Sequence, residues 1–219
     1  MAAEIMAGCG FDWLTIDAEH SLFDLNTIAD TFRAIEARDC VPFVRAWDHD
    51  PVTKARILDA GAYGIIAPHV STPVQAAAIA DAMRYPPVGT RSSGTGRASA
   101  LPDYRATIDS QVLVIPQIEN IEGVENAEAI LAVEGVDVGF LGPNDLALSM
   151  GVEPGHPDHE AAIQMVLQAG IKTGKPVGLP VRDVEGVKRR LVEGFRFLDC
   201  ASDLRLLQVG AVDILAELG

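Results

Sequence analysis

The sequence predicts an α/β fold built from parallel strands, a TIM (β/α)8 barrel that lacks its first strand in this chain. Seven short apolar runs, several of them rich in β-branched residues, alternate with helical segments, which is the pattern of a parallel sheet. Polar residues able to carry chemistry fall at the ends of these runs, where a barrel has its mouth. A chain of 219 residues with 48% hydrophobic content is long enough for one such barrel, so we expect a single domain over residues 1–219.

The composition limits the classes of partner. The formal net charge is −14 and the isoelectric point is about 4.6, so nucleic acid and anionic membrane surfaces would be repelled. A small anionic substrate is not excluded, because one local arginine can bind a carboxylate. No apolar run has membrane-spanning length and no secretory leader opens the chain, so we expect a cytoplasmic protein. Cys9, Cys40 and Cys200 each lie in apolar sequence, which predicts buried, reduced thiols.

Each element follows from a local signal. Asp24 is the expected N-cap of a helix at 25–37, and Pro51 is the expected first residue of the next helix. Residues 86–97 are rich in Gly, Ser and Pro and predict a long loop of functional or mobile character. The strands are predicted at 11–17, 40–45, 63–68, 112–118, 136–141, 176–180 and 195–199. Further helices are predicted at 1–8, 73–85, near 121–133, from Pro143, at 157–170, up to Gly194 and up to Leu218.

A doubly wound sheet would show the same alternation of strands and helices. Its dinucleotide-binding form carries a GxGxxG motif between a strand and a helix, whereas Gly94 and Gly96 lie in a loop with no strand before them. The convergence of polar residues on successive strand ends therefore favours the barrel. The residues expected at this rim are Asp17, Glu19, His20, Arg45, His69, Gln117, Glu119, Asp145, Ser202 and Asp203.

Two carboxylates at successive strand ends are candidates for a metal site. Glu119 closes the run 113–119, and Asp145 lies in the run 140–146 at the next strand. Carboxylates with neutral oxygen donors and water suit Mg²⁺ or Mn²⁺, and no His or Cys pair has zinc spacing. Gln117, two residues before Glu119, points to the same side of the strand. The alternative interpretation makes Glu119 and Asp145 one helix N-cap each.

Three further side chains are candidates for chemistry. His20 follows a strand, so it is either a general base or a turn residue bonded to the backbone. Arg45 ends an apolar strand, where a buried guanidinium needs an anion, supplied by the substrate or by Asp17 or Glu19. Asp59 lies late in a helix, where a carboxylate opposes the helix dipole, so it needs a specific partner. His20 is one candidate for that partner.

Residues 142–145 begin a short helix. Its free N–H groups either hold a carboxylate or only form a capped turn.

No lysine falls at the carboxyl end of a strand, so the Schiff-base chemistry of a class I aldolase has no candidate residue. An oxo acid substrate would then require a metal as the electron sink. His49, His156 and His159 fall in loops and receive no role.

Several stretches together resemble the HpcH/HpaI aldolase family. They include PheAspTrpLeuThrIleAspAlaGluHis (11–20), IleProGlnIleGlu (115–119) and GlyPheLeuGlyProAsnAspLeu (139–146). The GluHis, GlnIleGlu and GlyProxAspLeu motifs are specific in combination, and the resemblance extends over residues 1–219. It implies a metal-dependent class II pyruvate aldolase on a TIM barrel, acting on 4-hydroxy-2-oxo acids such as 4-hydroxy-2-oxoheptanedioate and 2-dehydro-3-deoxyglucarate. It also implies a homo-oligomer, a trimer or hexamer, with active sites near subunit interfaces.

The resemblance implies a role for each matching residue. Glu119 and Asp145 correspond to the ligands of Mg²⁺ or Mn²⁺, with Co²⁺ as a further possibility. His20 corresponds to a base that acts through water, with Asp59 as its partner. Arg45 corresponds to the group on the oxo or enolate oxygen.

The remaining matches concern the substrate. Gln117 would hold the substrate or a metal-bound water, and the backbone at Asn144 and Asp145 would receive the pyruvate carboxylate. Asp17 and Glu19 would support His20 and the waters of the metal.

Two other functions fit parts of the pattern. A lyase acting on a CoA thioester, of the citrate lyase β-subunit or malyl-CoA lyase type, would need a basic site for nucleotide phosphates. Only Arg91 and Arg97 cluster in a loop, which is too few. A catalytically silent barrel would bind oxo acid or metal without turnover. Ala46, Asn144 and the loop 90–100 depart from what is common in the family, so the sequence leaves the aldehyde open.

The chain opens on a helix, whereas a closed (β/α)8 barrel needs eight strands. We therefore expect strand 11–17 to be the second strand of the barrel, with a gap between it and strand 195–199. The exposed edges need a cover, because unpaired strand edges invite aggregation. That cover is either a missing native segment of roughly 20–30 residues, about one βα unit, or a neighbouring subunit, and the missing segment is favoured.

Overall fold

The computed structural model describes residues 1–218 and contains one sheet of seven parallel strands, ordered β1 to β7 as in the chain. The strands are β1 (Trp13–Asp17), β2 (Val41–Arg45), β3 (Gly64–Ala67), β4 (Leu113–Ile118), β5 (Gly139–Leu141), β6 (Val177–Pro180) and β7 (Phe197–Asp199). The helices are α1 (Ala2–Ala7), α2 (Leu25–Glu36), α3 (Pro51–Ala60), α4 (Pro73–Met83), α5 (Tyr104–Gln111), α6 (Ile121–Glu125), α7 (Ala127–Leu131), α8 (Pro143–Met150), α9 (Pro157–Thr173), α10 (Val184–Glu193) and α11 (Asp203–Leu218).

Alternate residues of the strands point into the curled sheet, and this fixes both the inner core and the site. Because side chains on a strand repeat on one face every second residue, Arg45 lies on the same side as Phe43, and Gln117 on the same side as Ile115. The apolar layer therefore lies deeper and the polar residues lie nearer the carboxyl ends. The inner layer comprises Trp13, Phe43, Ile66, Ile115, Val138, Phe140 and Phe197.

β1 and β7 are the two ends of the strand order, and no hydrogen-bonded pairing joins them within residues 1–218. The sheet is nevertheless curled, because the ring of Trp13 on β1 stacks on the ring of Phe197 on β7. The two centroids lie 4.4 Å apart and the two planes differ by 3°. The architecture is therefore TIM-like but open, with the gap where strands 11–17 and 195–199 were expected to leave one.

Local capping explains where the helices begin. Asp24 accepts a hydrogen bond from the N–H of Thr27 at 2.8 Å, as predicted for the start of α2. Thr72 and Gln75 form a reciprocal capping box ahead of α4. Gly61 ends α3 with a φ of 116°, a left-handed conformation that favours glycine. Within the described part of the chain, no helix is both long and apolar enough to cross a membrane.

Three predictions need correction. The loop predicted at 86–97 leads into a 3₁₀ turn (Arg97–Ala100) and α5, which was not predicted because its only strong signal is the buried pair Tyr104 and Ile108. The helix predicted near 121–133 is two short helices, α6 and α7, divided at Asn126. All three cysteines are free, but Cys9 and Cys200 are exposed and only Cys40 is buried. Cys9 lies in the turn after α1 and Cys200 directly follows β7, where apolar neighbours in sequence do not produce burial.

Candidate active site

The carboxyl ends of the strands bring charged side chains around one opening. Arg45 is the last residue of β2, Asp17 is the last residue of β1, and the two are register partners in the sheet. Glu119 directly follows the last residue of β4. The mouth thus combines a cation and two carboxylates from three strands, as the pattern of strand ends predicted.

Carboxylates of the neighbouring strand hold Arg45. Its Nε and Nη2 donate to the two oxygens of Asp17 at 2.9 and 2.7 Å, and its Nε lies 3.3 Å from Oε2 of Glu19. Burial alone would raise the pKa of Asp17, but the hydrogen bonds and charge of Arg45 outweigh it and hold that pKa below its ordinary value. Asp17 and Glu19 are therefore the anions that this chain supplies to Arg45, and the bidentate contact fixes the guanidinium at the rim.

Glu119 is almost fully buried, with 1% of its side chain exposed. The backbone N–H of His69 donates to its Oε1 at 2.6 Å, and the side-chain amide of Gln117 donates to its Oε2. Desolvation by burial nevertheless raises the pKa of Glu119, and the nearby carboxylate of Glu19 adds to the rise. A nearby cation would offset the cost of burying this negative charge, so Glu119 is a candidate functional group.

The oxygen atoms around Glu119 fit a hard divalent cation as its ligands. Oε1 of Gln117 is a buried acceptor that has no hydrogen-bond partner within residues 1–218, and Oε2 of Glu19, which also has none, lies at ion-pair distance from Arg45. A Cβ at Gly142 would lie 2.3 Å from Oε2 of Glu119, so this glycine lets the start of α8 approach the carboxylate. Asp145 lies in the first turn of that helix. Oxygen acceptors of this kind are the ligands that Mg²⁺ and Mn²⁺ prefer.

The alternative interpretation of the two carboxylates, as helix N-caps, is wrong. Asn120, not Glu119, caps α6, since its side chain accepts from the N–H of Gly123. Gly142, not Asp145, occupies the N-cap position of α8. In the described residues no group of three or more His, Cys, Asp or Glu side chains is arranged to hold a metal ion. The predicted site uses only two such side chains, Glu119 and Asp145, and completes its shell with water or a 2-oxo acid.

His20 lies at the rim with 62% of its side chain exposed. Its backbone N–H lies 3.3 Å from Oδ1 of Asp17, and its Nε2 lies 3.6 Å from Oε2 of Glu19. The backbone therefore makes the turn contact that one interpretation predicted, while the imidazole stays open to a ligand. Asp17 and Glu19 thus contact both His20 and Arg45.

The predicted pairing of Asp59 with His20 is wrong within this chain. α3 runs away from the mouth, so Asp59 in its last turn lies toward the opposite end of the sheet. Its Oδ1 accepts from Nη2 of Arg91 at 2.7 Å. A helical carboxylate near a helix C-terminus does need a partner, but that partner is the arginine. Ser202, also expected at the rim, accepts from the N–H of Arg205 at the start of α11.

His69, expected at the rim without a chemical role, lies at the mouth. Its Nδ1 lies 3.0 Å from Oε1 of Glu119 and its Nε2 lies 3.2 Å from Oε1 of Glu19. The residue has a φ of 54°, which is strained for a side chain with a Cβ and is typical of functional positions. Its place two residues beyond β3 was the available signal, but no motif distinguished it from a turn residue.

The first turn of α8 carries Asn144 and Asp145, and two unpredicted residues contact it. His159, which is buried, lies with Nε2 2.8 Å from the carbonyl of Pro143, while its Nδ1 accepts from the N–H of Gly155 at 3.2 Å. Arg182, which follows β6, donates from Nη2 to Oδ1 of Asn144 at 3.2 Å. His159 fixes the start of the helix, and Arg182 adds a cation to the rim.

Comparisons with known proteins identify one family. The family model described as HpcH/HpaI aldolase/citrate lyase matches residues 1–209. A 4-hydroxy-2-oxovalerate aldolase of Novosphingobium aromaticivorans is 43% identical, over 96% of this chain and 83% of the relative. A hydroxypyruvate/pyruvate aldolase of Chromohalobacter salexigens is 38% identical, over 99% of this chain and 88% of the relative. The crystal structure of an HpcH/HpaI aldolase/citrate lyase family protein from Burkholderia cenocepacia J2315 superposes with a TM-score of 0.94 at 38% identity, covering 99% of this chain and 89% of that one.

Proposed function

The chain belongs to the HpcH/HpaI aldolase/citrate lyase family and is an aldolase, and we propose that it forms and cleaves 4-hydroxy-2-oxo acids with a divalent metal. The products of cleavage are pyruvate and an aldehyde. The observation that carries this proposal is the buried carboxylate of Glu119 beside Gln117, whose Oε1 has no hydrogen-bond partner within residues 1–218. A buried carboxylate beside an oxygen acceptor that lacks a donor suits a divalent cation.

Glu119 and Asp145 would hold the metal, Mg²⁺ or Mn²⁺ with Co²⁺ as a further candidate. Once bound, the cation would act as a Lewis acid that stabilises negative charge on the oxo oxygen. Gln117 would orient the substrate or a coordinated water through its free Oε1. The backbone N–H groups at Asn144 and Asp145, in the first turn of α8, would receive the pyruvate carboxylate.

His20 and Arg45 would carry the proton and the charge. During cleavage, His20 would take the proton of the C4 hydroxyl through a water molecule, the C3–C4 bond would break, and its electron pair would pass to the C2 oxo oxygen. Arg45, fixed by Asp17 and Glu19, would stabilise the enolate oxygen by charge and hydrogen bonding. A proton returned to C3 then gives pyruvate. We leave Asp59 out of this step, because Arg91 engages it.

The CoA-thioester alternative loses its candidate residues. The guanidinium of Arg91 is fully buried between the rings of Tyr85 and Tyr104 and is bound to Asp59. Arg97 donates to Glu36 and to the carbonyl of Ala60. Neither arginine is free to bind nucleotide phosphates, so the aldolase assignment is the better one.

Two assays test the proposal. Oxaloacetate with Mn²⁺ should be decarboxylated, because a site that stabilises the pyruvate enolate performs that reaction, and a chelator should stop it. Pyruvate mixed with a panel of aldehydes should yield 4-hydroxy-2-oxo acids. Binding of metal and oxo acid without either reaction would establish the silent barrel instead, and turnover that requires a CoA ester would establish the lyase.

We further propose that the chain assembles as a homo-oligomer, a trimer or hexamer. α11 is a 16-residue helix with no buried residue, and its exposed apolar side chains include Leu204, Leu207, Leu215 and Leu218. An apolar helix gains most of its stability from packing, which supports a second copy of this chain as its cover. Light scattering should give the mass of three or six chains, and Leu207→Glu with Leu215→Glu should lower that mass.

A further inference from the structure

Arg182 is the arginine of the loop after β6, at the same end of the sheet as Glu119 and Asp145. Arg182 is exposed, and its Nη2 donates to a neutral acceptor, Oδ1 of Asn144, at 3.2 Å. No carboxylate within residues 1–218 lies within ion-pair distance of it. A guanidinium carries five N–H donors, so most of those of Arg182 remain available.

The guanidinium of Arg45 is already paired. Arg45, the last residue of β2, is bidentate to Asp17 and close to Glu19. Carboxylates at or just beyond the strand ends include Asp17, Glu19, Glu119, Asp145, Asp183 and Asp199. An anionic group on the second substrate would therefore meet several carboxylates at this rim, in a protein of charge −14, whereas the guanidinium of Arg182 is bonded to a neutral oxygen.

We infer that Arg182 is a specificity-determining residue that binds an anionic group on the aldehyde, and so selects aldehydes bearing a carboxylate over neutral ones. The inference rests on the proposed function, in which the backbone N–H groups of Asn144 and Asp145 receive the carboxylate of pyruvate. Arg182 contacts the side chain of Asn144, so it lies beside that position. The second substrate must enter from solvent, and the exposed guanidinium of Arg182 is available to its distal group.

The contact at Asn144 orients the guanidinium without neutralising it. A neutral amide oxygen is a weaker partner than a carboxylate, and charge-assisted bidentate bonds are roughly twice as strong as neutral ones. A substrate carboxylate would therefore displace the amide or share the guanidinium with it. The planar fork of arginine suits this task better than the point charge of lysine.

The experiment compares paired aldehydes of similar size on matched variants. Initial rates with pyruvate are measured for succinic semialdehyde against butanal, and for glyoxylate against glycolaldehyde. The variants are Arg182→Gln and Arg182→Lys. Arg189→Gln is the control, since Arg189 is an exposed arginine of α10 beyond the rim that pairs with Glu193, so the charge change is the same. Exchange of the pyruvate methyl protons in deuterium oxide is followed in parallel without aldehyde.

Arg182→Gln should lower kcat/KM for the anionic aldehydes by about 10-fold or more, mainly through KM, as expected for loss of a charge-assisted contact. Butanal and glycolaldehyde should change less than about twofold, and Arg182→Lys should fall between. Proton exchange in pyruvate should be unchanged, and Arg189→Gln should behave as the parent.

Equal losses for anionic and neutral aldehydes, or no loss for either, would overturn the inference. A fall in pyruvate exchange in Arg182→Gln would also overturn it, because Arg182 would then act on the carboxylate of pyruvate. A parent protein that catalyses neither exchange nor aldol formation would instead refute the proposed function, and the inference with it.

Discussion

The mouth of the sheet and its opposite end contain the same kinds of side chain in different states. At the opposite end, Arg84 donates to the carbonyls of Asp109 and Gly135 and to the carboxylate of Asp137. At the mouth, Glu119 is buried with a raised pKa, and its neighbour Gln117 has an acceptor without a partner. Charges at the far end are largely satisfied by the chain itself, whereas those at the mouth are not.

The difference separates stability from function. A buried polar group with every partner in place rigidifies the fold, while one with a partner missing is destabilising unless something else supplies it. Even the unbonded N–H groups of Arg91 lie against the rings of Tyr85 and Tyr104. Substitutions at the mouth should therefore change catalysis more than folding, and those at the far end the reverse.

The largest effect is expected from Glu119→Gln at the mouth. The amide keeps an acceptor for the N–H of His69 but removes the charge that would hold the metal, so we expect turnover to fall by at least about 10³-fold. Thermal unfolding should shift little. Rates and calorimetric Mn²⁺ binding measure the two effects, and near-normal activity in this variant would remove Glu119 from the metal site.

His20→Ala should lower aldol cleavage by roughly 10²–10⁴-fold, the usual size of a general-base contribution. Its ring is exposed and bonded only loosely, at 3.6 Å from Glu19, so metal affinity and folding should be preserved. The comparison is sharpened by measuring Mn²⁺ binding alongside kcat. If metal binding were lost instead, His20 would be a ligand and the proposed proton transfer would be wrong.

Arg84→Ala tests the far end. Removing this side chain leaves the carboxylate of Asp137 without its cation and two carbonyls without donors, so we expect about 3 kcal/mol of lost stability. The activity per folded molecule should match the parent. Urea unfolding measures the stability, and active-site titration gives the activity per folded molecule. A loss of kcat without a loss of stability would contradict the assignment of stability to the far end and function to the mouth.

Lys54 provides the smallest effect, and it lies on the mouth side in the first turn of α3. It is fully buried, and desolvation lowers its pKa from the ordinary 10.5 to about 8, although Asp48 and Asp50 oppose the shift. Between about pH 8 and pH 10.5 the unfolded chain therefore binds more protons than the folded one, so this contribution to stability increases with pH. The contribution of Lys54 to stability is largest above about pH 10.5 and is lost as the pH falls through about 8.

The measurement compares urea unfolding of the parent and Lys54→Met across that pH range. From the lower to the upper limit of that pH range, the unfolding free energy of the parent should rise relative to that of the variant by on the order of 2 kcal/mol. Subtracting the variant removes the titration of tyrosines and other lysines. A flat difference would mean that Lys54 has an ordinary pKa in the folded protein.

Much of the fold could be predicted because its signals are local. The seven strands, their order and the starts of α2, α3 and α4 follow from apolar runs and capping residues such as Asp24 and Thr72. The same strand ends identified Arg45 and Glu119 at the mouth, since a two-residue period fixes which side chains share a face.

The remaining features depend on contacts between distant parts of the chain. The partner of Asp59 is Arg91, 32 residues away, and no local pattern distinguishes that arginine from His20. α5 was missed because Tyr104 and Ile108 are its only buried residues. The contact of Arg182 with Asn144 spans 38 residues, so only the folded chain brings that cation to the rim.

The stacking of Trp13 on Phe197 gives the protein an optical label at the edge where β1 and β7 do not pair. The chain has two tryptophans, and the other, Trp47, is 39% exposed to solvent. Its emission therefore reports water at every stage of unfolding, whereas that of Trp13 shifts to longer wavelength only when the stacked pair separates. In a Trp47→Phe variant, fluorescence that changes before the far-UV circular dichroism would show that this edge opens before the remainder of the sheet.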